Sequence, residues 1–193
     1  MTVYPPQPQQ KSFLRDLIEI VVLALVLYVV ITFAVQTVHV MGTSMVPTLA
    51  DNDFLIASKI SYHIHDPQRG DIVIFKPTNE LAAGSGGKDY IKRIIGVPGD
   101  SLRIVHAQVF VNGHLLKEPY LNEQWTWTDT YNGGQEFKLN AGQYFVMGDN
   151  RNHSTDSRFL GPQNKDQFLG KAWVRIWPLS SFKIFSNQMT FAN

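Results

Sequence analysis

One apolar segment, Leu17 to Val35, constrains this chain more than any other feature. About 19 residues at ~1.5 Å rise make a helix ~28 Å long, close to the hydrocarbon thickness of a bilayer. Glu19 near its start is its one formal charge; Tyr28 and Thr32 lie inside it. A secretory signal would carry a shorter apolar region, ~7–15 residues, followed by a small-x-small cleavage site. Val35-Gln36-Thr37-Val38-His39 offers no such site. A buried core helix is the bland alternative. The segment reads as an uncleaved anchor over residues 12–36, with Ser12 as N-cap. Lys11 and Arg15 precede it, and the next cation after it is Lys59. Positive-inside logic therefore puts the N-terminus in the cytoplasm and the rest outside. The Pro- and Gln-rich residues 1–11 read as a disordered cytoplasmic tail.

The remainder, residues 37–193, suits one domain. The formal net charge is +1 and no basic run appears, so no nucleic-acid partner is expected. The absence of cysteine excludes disulfides, thiolate zinc sites and a cysteine nucleophile. Strand signals recur at Asp53–Ala57, Asp71–Phe75, Tyr90–Val97, Leu102–Val105, Gln143–Met147 and Lys171–Trp177, each bounded by turn residues. Asn112-Gly113 sits between apolar runs and marks a hairpin. No second helix is evident. Residues 80–88 read as a flexible loop, and 123–134 as a loop or part of a small β insertion spanning about 104–140. The expected fold is mainly β: one transmembrane helix, then a coiled sheet or small barrel.

Three segments carry the chemistry. In Gly42-Thr43-Ser44-Met45-Val46-Pro47, Gly42 permits positive φ and Pro47 stiffens the turn. Such a loop can present a hydroxyl and backbone N–H groups to an oxyanion. In Tyr90-Ile91-Lys92-Arg93-Ile94-Ile95, Tyr90, Lys92 and Ile94 share one strand face and Arg93 lies on the other. A lysine there can be a base only if burial keeps it neutral, which takes roughly 4 kcal/mol of environmental bias. Otherwise both cations reach a rim and pair. The polar turn Gly148 to Arg158 is dense in short side chains, with Asp149–Arg151 and Asp156–Arg158 as candidate pairs. His153 beside Ser154 leaves open a Ser-His-Asp arrangement, and His63-x-His65 is half a metal site without a carboxylate-rich partner.

In this order, after an N-terminal anchor, Ser-Met-Val-Pro-Thr-Leu (44–49), Gly-Asp-Ile-Val-Ile-Phe (70–75), Tyr-Ile-Lys-Arg-Ile-Ile-Gly-Val-Pro-Gly-Asp (90–100) and the 148–158 turn resemble the bacterial type I signal peptidases. The resemblance implies a membrane-bound serine endopeptidase, without cofactor or metal. Such enzymes remove signal peptides from exported preproteins after small residues at −1 and −3. It implies Ser44 as nucleophile and Lys92 as general base. Ser154 is the hydroxyl that positions the lysine, and Asp156, Arg158 and Arg93 support the site. Some relatives carry a serine two residues before the nucleophile; here that residue is Gly42. A monomer in the cell membrane or a thylakoid membrane is expected. Met45 is expected to line an apolar substrate surface. Trp125 and Trp127 either pack on the core under the insertion or reach membrane lipid from the rim of the cleft, and the sequence leaves both open. The alternatives are a Ser–Lys peptidase with a dedicated or self substrate, and a non-catalytic membrane-tethered peptide-binding β domain.

Overall fold

The structure, a computed structural model, describes residues 13–77, 88–126 and 131–192. The expected tail, nearly all of the 80–88 loop and Trp127 lie outside the described residues. The chain divides after Ala34 into two compact units. The first is helix α1, Phe13–Ala34, none of whose residues is buried. It is long and apolar enough to cross a membrane. Its few polar side chains are satisfied locally: Arg15 bonds Glu19 one turn on, and Thr32 Oγ1 donates to the Tyr28 carbonyl at 3.0 Å. The helix ends two residues earlier than expected, because Val35 and Gln36 already belong to a strand.

The second unit is built mainly of β-strands, as its β-branched and aromatic runs require. In chain order these are β1 Val35–His39, β2 Phe54–Ser58, β3 Ile72–Phe75, β4 Tyr90–Gly96, β5 Ser101–Val105, β6 Gln108–Val111 and β7 His114–Lys117. There follow β8 Phe137–Lys138, β9 Gln143–Met147, β10 Gln163–Asn164, β11 Phe168–Trp177, β12 Lys183–Ile184 and β13 Thr190–Phe191. Two single-turn helices that the sequence did not suggest, α2 Ser61–Ile64 and α3 Ser157–Leu160, interrupt them.

The larger sheet runs β1-β2-β11-β3-β4-β9-β10, with β12 added on β11. It is open, with β1 and β10 as edges, and its strands pair antiparallel. Register shifts in β11 at Ala172/Val174 and Arg175/Trp177 increase the local twist. The smaller sheet runs β13-β7-β6-β5-β8 and holds its own core around Leu102, Ile104, Val111 and Phe145. The β6–β7 turn is the hairpin read from Asn112-Gly113: both residues take positive φ, 53° and 81°. β3 is buried at every position, and β4 from Lys92 to Gly96, so a charge placed there is taken out of water.

Candidate active site

Ser44 lies on the loop that joins β1 to β2. That loop is pinned at its base by Val40 N–H to Asp53 O at 2.8 Å and Asn52 N–H to Val40 O at 3.0 Å. Gly42 has φ of 95°, the left-handed region that favours glycine. Its N–H donates to Asp51 Oδ1 at 2.7 Å. Met45 turns inward, 2% exposed, against Leu49, Leu55 and Ile72. This anchors the residue next to the hydroxyl. Among the described residues the Ser44 N–H has no acceptor in the protein.

Lys92 comes from β4, opposite Val73 of β3, and is 4% exposed. Its Nζ lies 2.7 Å from Ser44 Oγ and 3.0 Å from the Ile91 carbonyl. Burial penalises the ammonium and brings the lysine down from 10.5 to about 8. Asp156 and Asp149 act against that shift, and Arg158 acts with it. A neutral amine at hydrogen-bond distance from a serine hydroxyl can take its proton.

The carboxylates near Lys92 do not pin it as an ammonium, because each is held by a guanidinium. Arg158 grips Asp156 through Nε and Nη2, both at 2.8 Å, with both side chains fully buried. Burial alone would raise Asp156, but the Arg158 bonds outweigh it and keep the carboxyl below its usual range. Asp149 does not pair with Arg151 as the sequence suggested. Arg93 takes it, with Nε to Oδ1 at 2.8 Å and Nη2 to Oδ2 at 2.6 Å. Arg151 turns instead to Glu118, beyond β7.

The 148–158 turn is fastened directly to the serine loop. Asn150 N–H donates to Ser44 O at 3.0 Å, and Asn150 Nδ2 donates to Thr43 O at 3.1 Å. Gly148 admits no side chain: a Cβ there would stand 2.2 Å from Ser154 Oγ and 2.5 Å from Ser44 O. Ser154 is close to the site, yet its buried Oγ makes no well-formed hydrogen bond. It lies near enough to Asp156 to favour the carboxylate.

A cavity of about 620 Å³ opens over Ser44 and Lys92. Val38, Val40, Met45 and Ile91 give it apolar lining, and His153 and Thr155 line it as well. Among the described residues, no hydrogen bond joins the His153 ring to Ser44, and no cluster of three metal-ligating side chains occurs.

Trp125 takes the core position, one of its two open readings. It is 5% exposed, in the core of the smaller sheet, with the Arg151 and Arg158 guanidinia 5.0 and 5.3 Å from its ring. It therefore cannot reach lipid from the rim of the cleft. Sequence reading also missed Glu118 and Tyr120. An acidic-Pro-Tyr run just past a hairpin carries no signal that its side chains turn inward.

The family model "Signal peptidase, peptidase S26" matches residues 14–177. A probable signal peptidase I-2 of Synechocystis sp. is 42% identical over 175 residues, covering 91% of this chain and 77% of the relative. Signal peptidase I of Leptolyngbya laminosa is 40% identical over 177 residues, covering 90% and 85%. Signal peptidase IB of Staphylococcus aureus is 34% identical over 187 residues, covering 90% and 94%. A crystal structure of a signal peptidase I from Enterococcus faecalis V583 aligns at a TM-score of 0.46 and 32% identity, over 55% of this chain and 97% of that one.

Proposed function

Because the chain belongs to the S26 signal peptidase family, serine peptidases that remove signal peptides from preproteins, we propose that Ser44 is its nucleophile and Lys92 its general base. The 2.7 Å approach of Nζ to Oγ, with the lysine buried, is the observation that carries this reading.

Neutral Lys92 takes the Ser44 proton as Oγ attacks the scissile carbonyl carbon. The electron pair of that carbonyl moves onto its oxygen, and the unpartnered Ser44 N–H is placed to donate to it. With Gly42 two residues back, that position supplies no side-chain hydroxyl to assist the donor. The lysine ammonium then protonates the leaving amine, and the acyl bond to Oγ remains. Lys92, neutral again, deprotonates the water that hydrolyses the ester. The ammonium has three N–H donors, and Ser44 Oγ and Ile91 O occupy two. Ser154 Oγ is a buried, unused acceptor suited to the third. Asp156–Arg158 and Arg93–Asp149 hold the turn and strand while cancelling each other's charge. The apolar walls from Val38, Val40, Ile91 and Met45 fit a cleft for small residues at −1 and −3.

The membrane reading has separate support. Trp173, Trp177, Leu179, Phe182 and Ile184 are each more than half exposed, on β11, β12 and the turn between them. β11 pairs with β2, β2 with β1, and β1 follows α1 without an intervening residue. An exposed indole-rich face, on a chain that also carries a membrane-length apolar helix, suits the lipid interface. With the cations ahead of α1, the N-terminus is cytoplasmic and the peptidase unit lies on the far side, as a monomer in a cell or thylakoid membrane.

Cleavage of a preprotein by the full chain in detergent tests the dyad. Ser44→Ala and Lys92→Arg are both expected to be inactive, since a guanidinium does not deprotonate. Turnover in Lys92→Arg overturns the assignment.

A further inference from the structure

Glu118 reaches the site from outside its expected borders. It follows β7 of the smaller sheet, yet its carboxylate is buried against Arg151 of the 148–158 turn. Arg151 Nη1 donates to Glu118 Oε2 at 2.8 Å, and Nη2 bonds Oε1. Its Nε donates to the Gly148 carbonyl at 3.0 Å, beside the point where the turn meets Ser44. Tyr120 donates to Glu118 Oε1 at 2.5 Å, and its ring lies 4.0 Å beneath the Arg93 guanidinium. Burial and the adjacent Glu118 keep the Tyr120 phenol protonated, so it remains a donor.

Charge balance gives Glu118 its role. Arg93, Arg151 and Arg158 are buried cations; Asp149, Asp156 and Glu118 are the carboxylates paired with them. The set is neutral only when Glu118 is included. Without it, Arg151 would stand as an uncompensated buried cation, close enough to weaken the charged form of Arg93. It would compete with Arg93 for Asp149, one of the carboxylates that act on Lys92. The other titratable side chains that line the cavity with Lys92 are His39, Lys88, Asp89 and His153.

We propose that Glu118 is a positioning residue for Lys92, acting through Arg151: it fixes the 148–158 turn and cancels the charge that the turn would otherwise set against the lysine. This rests on Lys92 being the base.

The test is the pH dependence of kcat for preprotein cleavage by the full chain in detergent, at saturating substrate. In Glu118→Gln the surplus cation favours the neutral amine, and the midpoint of the rising limb moves down by on the order of half a pH unit or more. In Arg151→Gln the surplus carboxylate moves it up by a similar amount. The double variant Glu118→Gln/Arg151→Gln returns it to the wild-type position. Glu118→Asp keeps the charge but shortens the reach, so kcat falls about 10-fold or more while the midpoint stays. Midpoints that stay put in both single variants overturn the proposal, and so do midpoints that move the same way. If the single variants do not fold, a midpoint that moves in Glu118→Asp overturns it, and one that stays with kcat lowered upholds it. A wild type with no rising limb would instead remove the assignment of Lys92, and this proposal with it.

Discussion

Asn150 donates its backbone N–H to the Ser44 carbonyl, 3.0 Å away, so the turn that carries Asp156 and Arg158 and the loop that carries the hydroxyl move as one body. Lys92 approaches from a different strand and meets that body at Oγ. The precision of the pair therefore rests on two interfaces, loop to turn and turn to strand, and each can be disturbed separately.

The first prediction concerns pH. Below about 8 Lys92 is an ammonium with no lone pair; above it the amine is free to take the Ser44 proton. The rate of preprotein cleavage rises about tenfold per pH unit on the acid side and levels off above about 8. A single-turnover rate that is flat between pH 5 and 9 would count against the mechanism.

Stability should move opposite to activity at Lys92. The fall from 10.5 to about 8 corresponds to roughly 3 kcal/mol against the ammonium at neutral pH. The folded pKa lies below the unfolded one, so the penalty is full below about 8 and fades as pH rises toward 10.5. Lys92→Met is expected to be inactive and roughly 1–3 kcal/mol more stable at pH 7, with the gain shrinking by pH 10. Thermal unfolding at the two pH values measures it.

Gly148→Ala tests the junction of loop and turn. The new methyl would overlap Ser154 Oγ and Ser44 O, so one of the two segments must shift. A fall in kcat of about 100-fold, with the circular dichroism spectrum retained, is expected. A wild-type rate would mean the junction tolerates displacement.

Ser154→Ala removes the orphaned hydroxyl. If that hydroxyl receives the third N–H of the ammonium, the rate falls roughly 10- to 1000-fold while folding is unaffected. An unchanged rate identifies a bystander.

The lipid face can be measured without the helix. A chain lacking residues 1–34 should bind lipid vesicles, and Trp173→Ser/Trp177→Ser should lower that binding about tenfold or more. A helix-free chain that stays with the supernatant at low and high salt alike would leave α1 as the sole anchor.

What could be read from the sequence was local chemistry. Asn112-Gly113 announced its hairpin because few other pairs take positive φ twice. β4 announced itself as an apolar run interrupted by two cations. β1 was hidden because Val35 continues the apolar helix, and Val-Gln-Thr-Val-His carries no turn signal before it. β12 and β13 are two residues each and exist only through their partners on β11 and β7. Of the two expected ion pairs, Asp156–Arg158 forms, and Asp149–Arg151 fails for a related reason. Asp149 and Arg151 are neighbours in sequence, but their side chains leave the turn toward Arg93 and Glu118, which the sequence does not place near them. Trp125 could not be decided between core and rim, because its two guanidinium neighbours are equally remote.

The position of β11 has a consequence for when the Ser44–Lys92 pair is assembled. It is the eleventh strand to be synthesised, yet it lies between β2 and β3, and so joins the hairpin that leads to Ser44 with the hairpin that bears Lys92. Its pairings, such as Trp177 with Phe54, span most of the chain, and contacts of that separation form slowly. Until residues 168–177 are in place, the two hairpins share no sheet hydrogen bond, and the 148–158 turn links the serine loop to the strands that carry Lys92. The Ser44–Lys92 pair is therefore locked in place only when β11 closes the sheet.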